Sequence, residues 1–225
     1  MVEQSYADRS VLIFGAAGAL GSGLAAAFAS AGAAVTGVAK VEPAPERQLD
    51  GIRYASADVL DDEAVRALFD ASPAPWAVIN TVGRFAPYRP LAELDRAELI
   101  GQLELNLVSA ALITKHALRV MRQAGTGRVV HTASRAGVVS KGSGLAYSVS
   151  KLGVLHLVSM AAVEVRGSGI TVNCVVPSII DTPANRAAMP AAKHDAWPKV
   201  ADIARTYLFL AAPESGLING AAVPV

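Results

Sequence analysis

Tyr147 and Lys151 stand four residues apart in Ala146-Tyr147-Ser148-Val149-Ser150-Lys151, and Ser134 lies thirteen residues before the tyrosine, where a strand-like run ends. On a helix, positions i and i+4 share a face, so this spacing brings a phenol and an ammonium to one site. A free phenol, with a pKa of about 10, exchanges protons poorly near neutrality. A neighbouring ammonium favours the phenolate, and each unit of lowering requires about 1.4 kcal/mol of differential interaction, within reach of a partly desolvated charge. The pair is a constellation for moving a proton, with Tyr147 as general acid or base. The same spacing also suits an amphipathic helix whose tyrosine packs and whose lysine is solvated, so the elements around it decide its meaning.

Those elements belong to a chain of 225 residues, enough for one domain with a sizeable core. Hydrophobic residues make up 52% and charged residues 17%, which implies an interior built mainly of aliphatic side chains. A formal net charge of +1 gives no basis for a nucleic-acid or anionic-membrane partner, so function belongs to a pocket and a small molecule. Cys174 is the single cysteine, in the apolar run 170–176. It excludes an intramolecular disulfide and a cysteine-based zinc site and suits a reducing compartment, so a cytoplasmic location is expected. His116, His131, His156 and His194 show no metal-ligand spacing; no metal site is expected, and the histidines receive no chemical role.

Residues 11–39 carry no charged side chain, a length that would span a bilayer. Gly15, Gly18, Gly21, Gly23, Gly32 and Gly37 divide the stretch, and Glu3, Asp8 and Arg9 precede it without a basic leader. A buried strand, a glycine turn and an alanine-rich helix explain it better than a membrane segment.

Apolar runs and helical stretches alternate along the whole chain, the pattern of a parallel sheet covered by helices on both faces. Strands are predicted at 10–14, 34–38, 52–55, 77–81, 127–132, 170–175 and 221–223, and helices at 20–31, 61–71, 94–123, 146–166 and 200–211. Two proline-bearing loops, 41–51 and 178–199, interrupt the order. The second follows a strand's carboxyl end, where such sheets bind ligands, and is the candidate substrate lid; a plain surface connection is the alternative.

Gly15-Ala16-Ala17-Gly18-Ala19-Leu20-Gly21 sits at the first strand-to-helix turn. Glycines there allow a positive φ and close approach of the backbone to a pyrophosphate, which free N–H groups of the helix start stabilise. With this turn in place, the chain from about Ser10 to Val225 resembles the short-chain dehydrogenase/reductase family in its compact single-domain branch. The resemblance rests on the order of the glycine turn, Asp58-Val59, Asn80-Thr81-Val82-Gly83, Asn106, Ser134, Tyr147-x-x-x-Lys151 and Pro177-Ser178-Ile179-Ile180-Asp181-Thr182. The Gly-Ala-Leu-Gly wording is closest to the dihydropteridine-reductase-like subset.

The resemblance implies a single-domain Rossmann fold over 1–225, doubly wound, with a mostly parallel seven-stranded sheet. It implies a nicotinamide cofactor cradled by Gly15, Ala17, Gly18, Ala19, Leu20 and Gly21, with Asp58 and Val59 at the adenine. Asn80, Thr81 and Val82 would line the cofactor, although Thr81 and Val82 replace the family's usual residues. Pro177, Ile180 and Thr182 would meet the nicotinamide carboxamide, Ile180 through backbone groups and Thr182 through its hydroxyl; Ser178 replaces the usual glycine. Asp61 is available as the helix N-cap that would otherwise explain Asp58. At the end of the second strand Ala39 and Lys40 stand where NAD-dependent relatives usually have an acidic residue. The missing carboxylate removes repulsion toward a 2′-phosphate and Lys40 can pair with it, so NADP is favoured and NAD stays open.

By the same resemblance, Tyr147 exchanges a proton with a carbonyl or alcohol oxygen and Lys151 binds the nicotinamide ribose. Ser134 hydrogen-bonds the reacting oxygen, and Asn106 holds a water linking Lys151 to solvent. Ser134 also suits a turn cap, and Asn106 a helix kink. Arg84, Phe85, Tyr88, Arg135, Val139, Lys141 and Met189 fall in loops that would border a small carbonyl, alcohol or pterin-like substrate. A dinucleotide-sensing regulator without turnover is the alternative from another class, and a scaffold presenting the helices at 94–123 and 146–166 is a third. Relatives pair subunits through those helices, so a homodimer or homotetramer is expected.

Overall fold

In the computed structural model, which describes residues 6–71, 73–85, 89–139 and 142–225, the apolar runs form seven strands. These are β1 (Ser10–Phe14), β2 (Ala34–Ala39), β3 (Arg53–Ser56), β4 (Ala77–Asn80), β5 (Gly127–Thr132), β6 (Ile170–Val176) and β7 (Ala222–Pro224). They pair in the order β3-β2-β1-β4-β5-β6-β7, and every pairing is parallel. The sheet is therefore wholly parallel where a mostly parallel one was expected. Chain direction along the sheet reverses between β1 and β4, which leaves a crevice beyond their carboxyl ends.

Among the described residues the helices are α1 (Ala19–Ser30), α2 (Asp62–Asp70), α3 (Arg96–Leu103), α4 (Ser109–Ala124), α5 (Leu145–Glu164), α6 (Pro183–Ala188) and α7 (Val200–Ala211). Side chains along a strand alternate between faces, and the core divides accordingly. Phe14 and Val78 join Val65 and Phe69 of α2, Ile113 of α4 and Val154 and Val158 of α5. Ile13 and Ile79 instead join Leu24 and Phe28 of α1 and Ile203 and Tyr207 of α7. Residues 11–39 thus fold as strand, turn, helix and strand, as read from their glycines.

Three expectations need correction. The helix predicted at 94–123 is not uniform: α3 and α4 are joined by a π-helical turn at Glu104–Val108, centred on Asn106. A one-residue widening of this kind has no compositional signature and commonly marks a functional site. The loop at 178–199 contains α6, started by Thr182, whose hydroxyl accepts the Asn185 N–H at 3.2 Å. The fourth strand ends at Asn80 rather than at 81, although the Thr81 N–H still reaches the Phe14 carbonyl at 2.9 Å. Asp61 caps α2 as expected, accepting the Glu63 and Ala64 N–H groups, so Asp58 has no duty there.

Candidate active site

At the carboxyl end of β1, Gly15 adopts φ +84° and donates its N–H to the Val38 carbonyl at 2.8 Å, which turns the chain back over the sheet. The turn is closed by Gly18 N–H to the Gly15 carbonyl at 3.0 Å. A Cβ on Gly21 would lie 2.2 Å from the Gly15 oxygen, and one on Gly15 would lie 2.6 Å from Thr81 Oγ1. Only glycine lets α1 start so close to the turn and lets the turn lie so close to Thr81. The helix begins without a side-chain cap and without an acidic residue in its first turn. Its first N–H groups, over the exposed Ala17, Gly18 and Ala19 and the half-buried Leu20, are arranged for an anion.

Beside this turn, Lys40 Nζ lies 2.7 Å from Asp58 Oδ2, and Asp58 Oδ1 accepts the Leu60 N–H at 3.1 Å. The lysine hydrogen bond, followed by that from Leu60, holds the Asp58 carboxyl below the usual aspartate range. The structure thus joins two residues that the sequence offered to different parts of a nucleotide. Ala39 is buried at the strand end and Val59 is buried beside Asp58.

Across the crevice, β4 delivers Asn80, whose Oδ1 accepts the Val82 N–H at 2.9 Å and folds Thr81, Val82 and Gly83 into a turn. A Cβ on Gly83 would stand 2.7 Å from Asn106 Oδ1 and 2.9 Å from Lys151 Nζ. The turn is therefore in contact with both side chains. Lys151 is only 4% exposed and donates to the Thr132 carbonyl at 2.9 Å, with no carboxylate paired to it among the described residues. Burial pushes its pKa down to about 8, so it remains a cation at neutral pH. An ammonium has three donors, and Thr132 uses one.

Tyr147 stands one helical turn before Lys151 on α5, half-buried, with its ring edge-on to Phe85 at 5.2 Å between centroids and 75° between planes. Ser134 follows β5, and its hydroxyl oxygen accepts the Ala136 N–H at 3.2 Å, capping the short turn Arg135–Gly137. The capping alternative for Ser134 is thus present in the fold. It occupies an acceptor site and leaves the hydroxyl hydrogen as a donor.

Asn106 is tied to three neighbouring segments. Its Oδ1 accepts the Arg84 N–H at 3.0 Å, and its Nδ2 donates to Gln102 Oε1 and Ser150 Oγ, both at 2.9 Å. The side chain clamps the Gly83 loop, α3 and α5 together, and its Oδ1 keeps a second lone pair.

Beyond β6, the Pro177 carbonyl accepts the Arg135 N–H at 3.1 Å, which ties this segment to the Ser134 turn. The Ile180 carbonyl is taken by Asn185 Nδ2 at 2.8 Å, and Thr182 Oγ1 is the α6 cap. Of the loop residues expected at the substrate site, Phe85 reaches the tyrosine, Arg84 is fixed through its backbone by Asn106, and Arg135 and Val139 lie exposed beside Ser134. The Met189 carbonyl bonds His194 Nε2 at 2.8 Å. Tyr88 and Lys141 lie outside the described residues.

Sequence reasoning missed Gln102, Ser150, Thr132 and His131. Each is buried or half-buried; His131 and Thr132 interrupt the apolar run of β5, a cost that could have found them, whereas Gln102 and Ser150 lie among other polar residues and carry no such signal. Burial, with a smaller contribution from Lys151, pushes His131 down to about 4, below its ordinary 6.5. The unfolded chain therefore takes up a proton first as pH falls. The preference of the fold for the neutral ring is complete above about pH 6.5 and is lost toward pH 4, a change of about 3 kcal/mol. Urea titrations at stepped pH should show that loss, and His131→Asn should remove most of it. An acid dependence unchanged in the variant would contradict the assignment.

The chain is similar along most of its length to known proteins. The profile of a family described as enoyl-(acyl carrier protein) reductase matches residues 15–225. Cis-4-hydroxycyclohexanecarboxylate dehydrogenase of Sinomonas cyclohexanicum is 32% identical, over 99% of this chain and 96% of that protein. D-threitol dehydrogenase of Mycolicibacterium smegmatis (strain ATCC 700084 / mc(2)155) is 31% identical, over 93% of this chain and 88% of that protein. The structure of a short-chain type dehydrogenase/reductase from Mycobacterium ulcerans superposes with a TM-score of 0.88 at 26% identity, covering 98% of this chain and 89% of that one.

Proposed function

The chain belongs to the short-chain dehydrogenase/reductase family, and on that premise we propose that Tyr147, Ser134 and Lys151 carry a nicotinamide-dependent interconversion of a small secondary alcohol and its ketone, with NADP preferred. The observation that carries the reading is Lys151: a buried cation on the Thr132 carbonyl, one turn from Tyr147, with Gly83 of the turn after β4 packed close against it. A buried charge without a carboxylate is costly, and a polar ligand at that place offsets the cost.

The residues present fit the cofactor. Gly15, Ala17, Gly18, Ala19, Leu20 and Gly21 would hold the pyrophosphate, because Gly15 and Gly21 let the turn pack closely under the helix start and that start is uncapped. Asp58 and Val59 would meet the adenine, Asn80, Thr81 and Val82 the ribose side, and Pro177, Ile180 and Thr182 the carboxamide. When bound, the nicotinamide supplies or accepts the hydride. Lys151 presents its remaining donors to the ribose hydroxyls and, as a nearby cation, favours the Tyr147 phenolate. Tyr147 gives its proton to the carbonyl oxygen in reduction and takes it back in oxidation. Ser134, its oxygen already accepting from Ala136, donates to the same oxygen as negative charge develops there.

Both named relatives act on alcohols, one a ring bearing a carboxylate and the other a polyol, which supports a secondary alcohol as the reacting group. A regulator without turnover finds no support, since a sensor has no use for a proton-transfer pair. The exposed apolar residues of α5 and its neighbourhood, Val149, Leu152, Met160 and Val163, support a homo-oligomer formed through this face.

NADP preference rests on Lys40 following Ala39 at the end of β2. The Asp58 carboxylate on Lys40 places the ammonium there and also offsets part of its charge, so the preference is modest. Titration of tryptophan fluorescence with each reduced cofactor should give tighter NADPH binding, and Lys40→Ala should narrow the ratio by about three- to tenfold. Equal or tighter NADH binding by the wild-type protein would remove the lysine argument.

A further inference from the structure

A buried polar chain runs beneath the Asn80–Gly83 turn. Thr114 commits its hydroxyl hydrogen to the Ala110 carbonyl at 2.7 Å, so toward His131 Nε2, 2.8 Å away, it can only accept. The ring proton of a neutral His131 is therefore on Nε2, and Nδ1 presents a lone pair. That lone pair lies 3.2 Å from Asn80 Nδ2, which donates to it. The opposite end of the same amide, Oδ1, then faces the Val82 N–H at 2.9 Å. Each bond fixes the direction of the next, and a reversed Asn80 amide would set its N–H2 against the Val82 N–H.

His131 is fully buried on β5, in register with Asn80 on β4 and Cys174 on β6. Placing an imidazole there is costly unless both nitrogens are paired, and both are. The consequence reaches the site within three residues, because Gly83 is the place where the turn touches Asn106 and Lys151. We propose that His131 is a positioning residue for the cofactor site: as the Nε2–H tautomer it orients the Asn80 amide, and through it the turn that walls Lys151. This rests on the reading above that the turn faces the nicotinamide nucleotide.

Two substitutions separate positioning from mere filling. His131→Phe occupies the space and removes both hydrogen bonds, whereas His131→Asn keeps an acceptor oxygen in the place of Nδ1 and gives up only Thr114. The NADPH dissociation constant should rise roughly tenfold in the phenylalanine variant and stay within about threefold of wild type in the asparagine variant. The cofactor KM should move more than kcat. Wild-type affinity in His131→Phe, or an equal loss in both variants, would overturn the proposal.

Nitrogen-15 NMR of the imidazole in the full-length wild-type protein without cofactor gives a second test that stands if a variant fails to fold. A neutral ring protonated on Nε2 is expected near pH 7, and protonation on Nδ1 would overturn the proposal. Absence of NADPH and NADH binding by the wild-type protein would instead sink the underlying reading, and is seen before any substitution is made.

Discussion

Tyr147→Phe is expected to lower turnover by about 10²–10⁴-fold while leaving cofactor affinity nearly unchanged, because it removes one oxygen and nothing else from the site. The ring that packs edge-on against Phe85 is retained, and Lys151 keeps its seat on the Thr132 carbonyl. Folding stability should change by less than about 1 kcal/mol, since the residue is half-buried and its ring stays. Steady-state kinetics beside fluorescence titration of NADPH would check both halves. Turnover that survives intact in the phenylalanine variant would assign the proton to another group. Loss of cofactor binding together with turnover would make the phenol a binding contact rather than an acid.

The second large effect belongs to Gly21→Ala. Its new Cβ would fall 2.2 Å from the Gly15 oxygen, 2.7 Å from the Gly15 carbonyl carbon and 2.8 Å from Thr81 Oγ1. Two of these atoms are backbone, so the overlap is relieved only by moving α1 away from the turn. A displacement of that kind costs about 1–3 kcal/mol in packing. It also spoils the alignment of the helix start with the phosphate, so cofactor affinity should fall by roughly a hundredfold. Gly101→Ala is the internal control: it lies in α3, nothing stands within 4 Å of its Cβ, and it should be neutral or stabilising by about 0.5–1 kcal/mol. Equal behaviour of the two alanine variants would show that the glycine turn has no steric role.

The sequence made the fold legible where local pattern and tertiary demand coincide. Runs such as Val11-Leu12-Ile13-Phe14 carry no alternation because both faces of the sheet are covered, and β1 and β5 lie where the pattern put them. Gly15 and Gly21 were legible because the reason for glycine, close backbone approach, is local. The tyrosine and lysine were legible because a helix translates a spacing of four into a shared face.

What was not legible depended on contacts between distant residues. The π-turn at Asn106 is a change of hydrogen-bond register, and the side chains that clamp it come from α5 and from the loop after β4. Asn106 was singled out correctly as a costly buried polar residue, but the clamp it forms with Gln102, Ser150 and Arg84 could not be read from spacing. Lys40 and Asp58 were read as separate contacts to one nucleotide, whereas the parallel pairing of β2 and β3 brings their charges together. His131 was passed over because a histidine was considered only as a metal ligand, while its role follows from the polar groups of Asn80 and Thr114 on neighbouring elements.

Hydride transfer at the Tyr147 site is tested most directly by following an isotope. A panel of small ring and open-chain ketones, including an oxocyclohexanecarboxylate, is incubated with the protein and reduced cofactor deuterated at the nicotinamide C4. Mass spectra of the products are then read. An alcohol carrying one deuterium at the former carbonyl carbon is expected from the wild-type protein and not from Tyr147→Phe. Tight binding of both cofactors with no deuterated product from any ketone would contradict it and leave a protein that senses the nucleotide without using it.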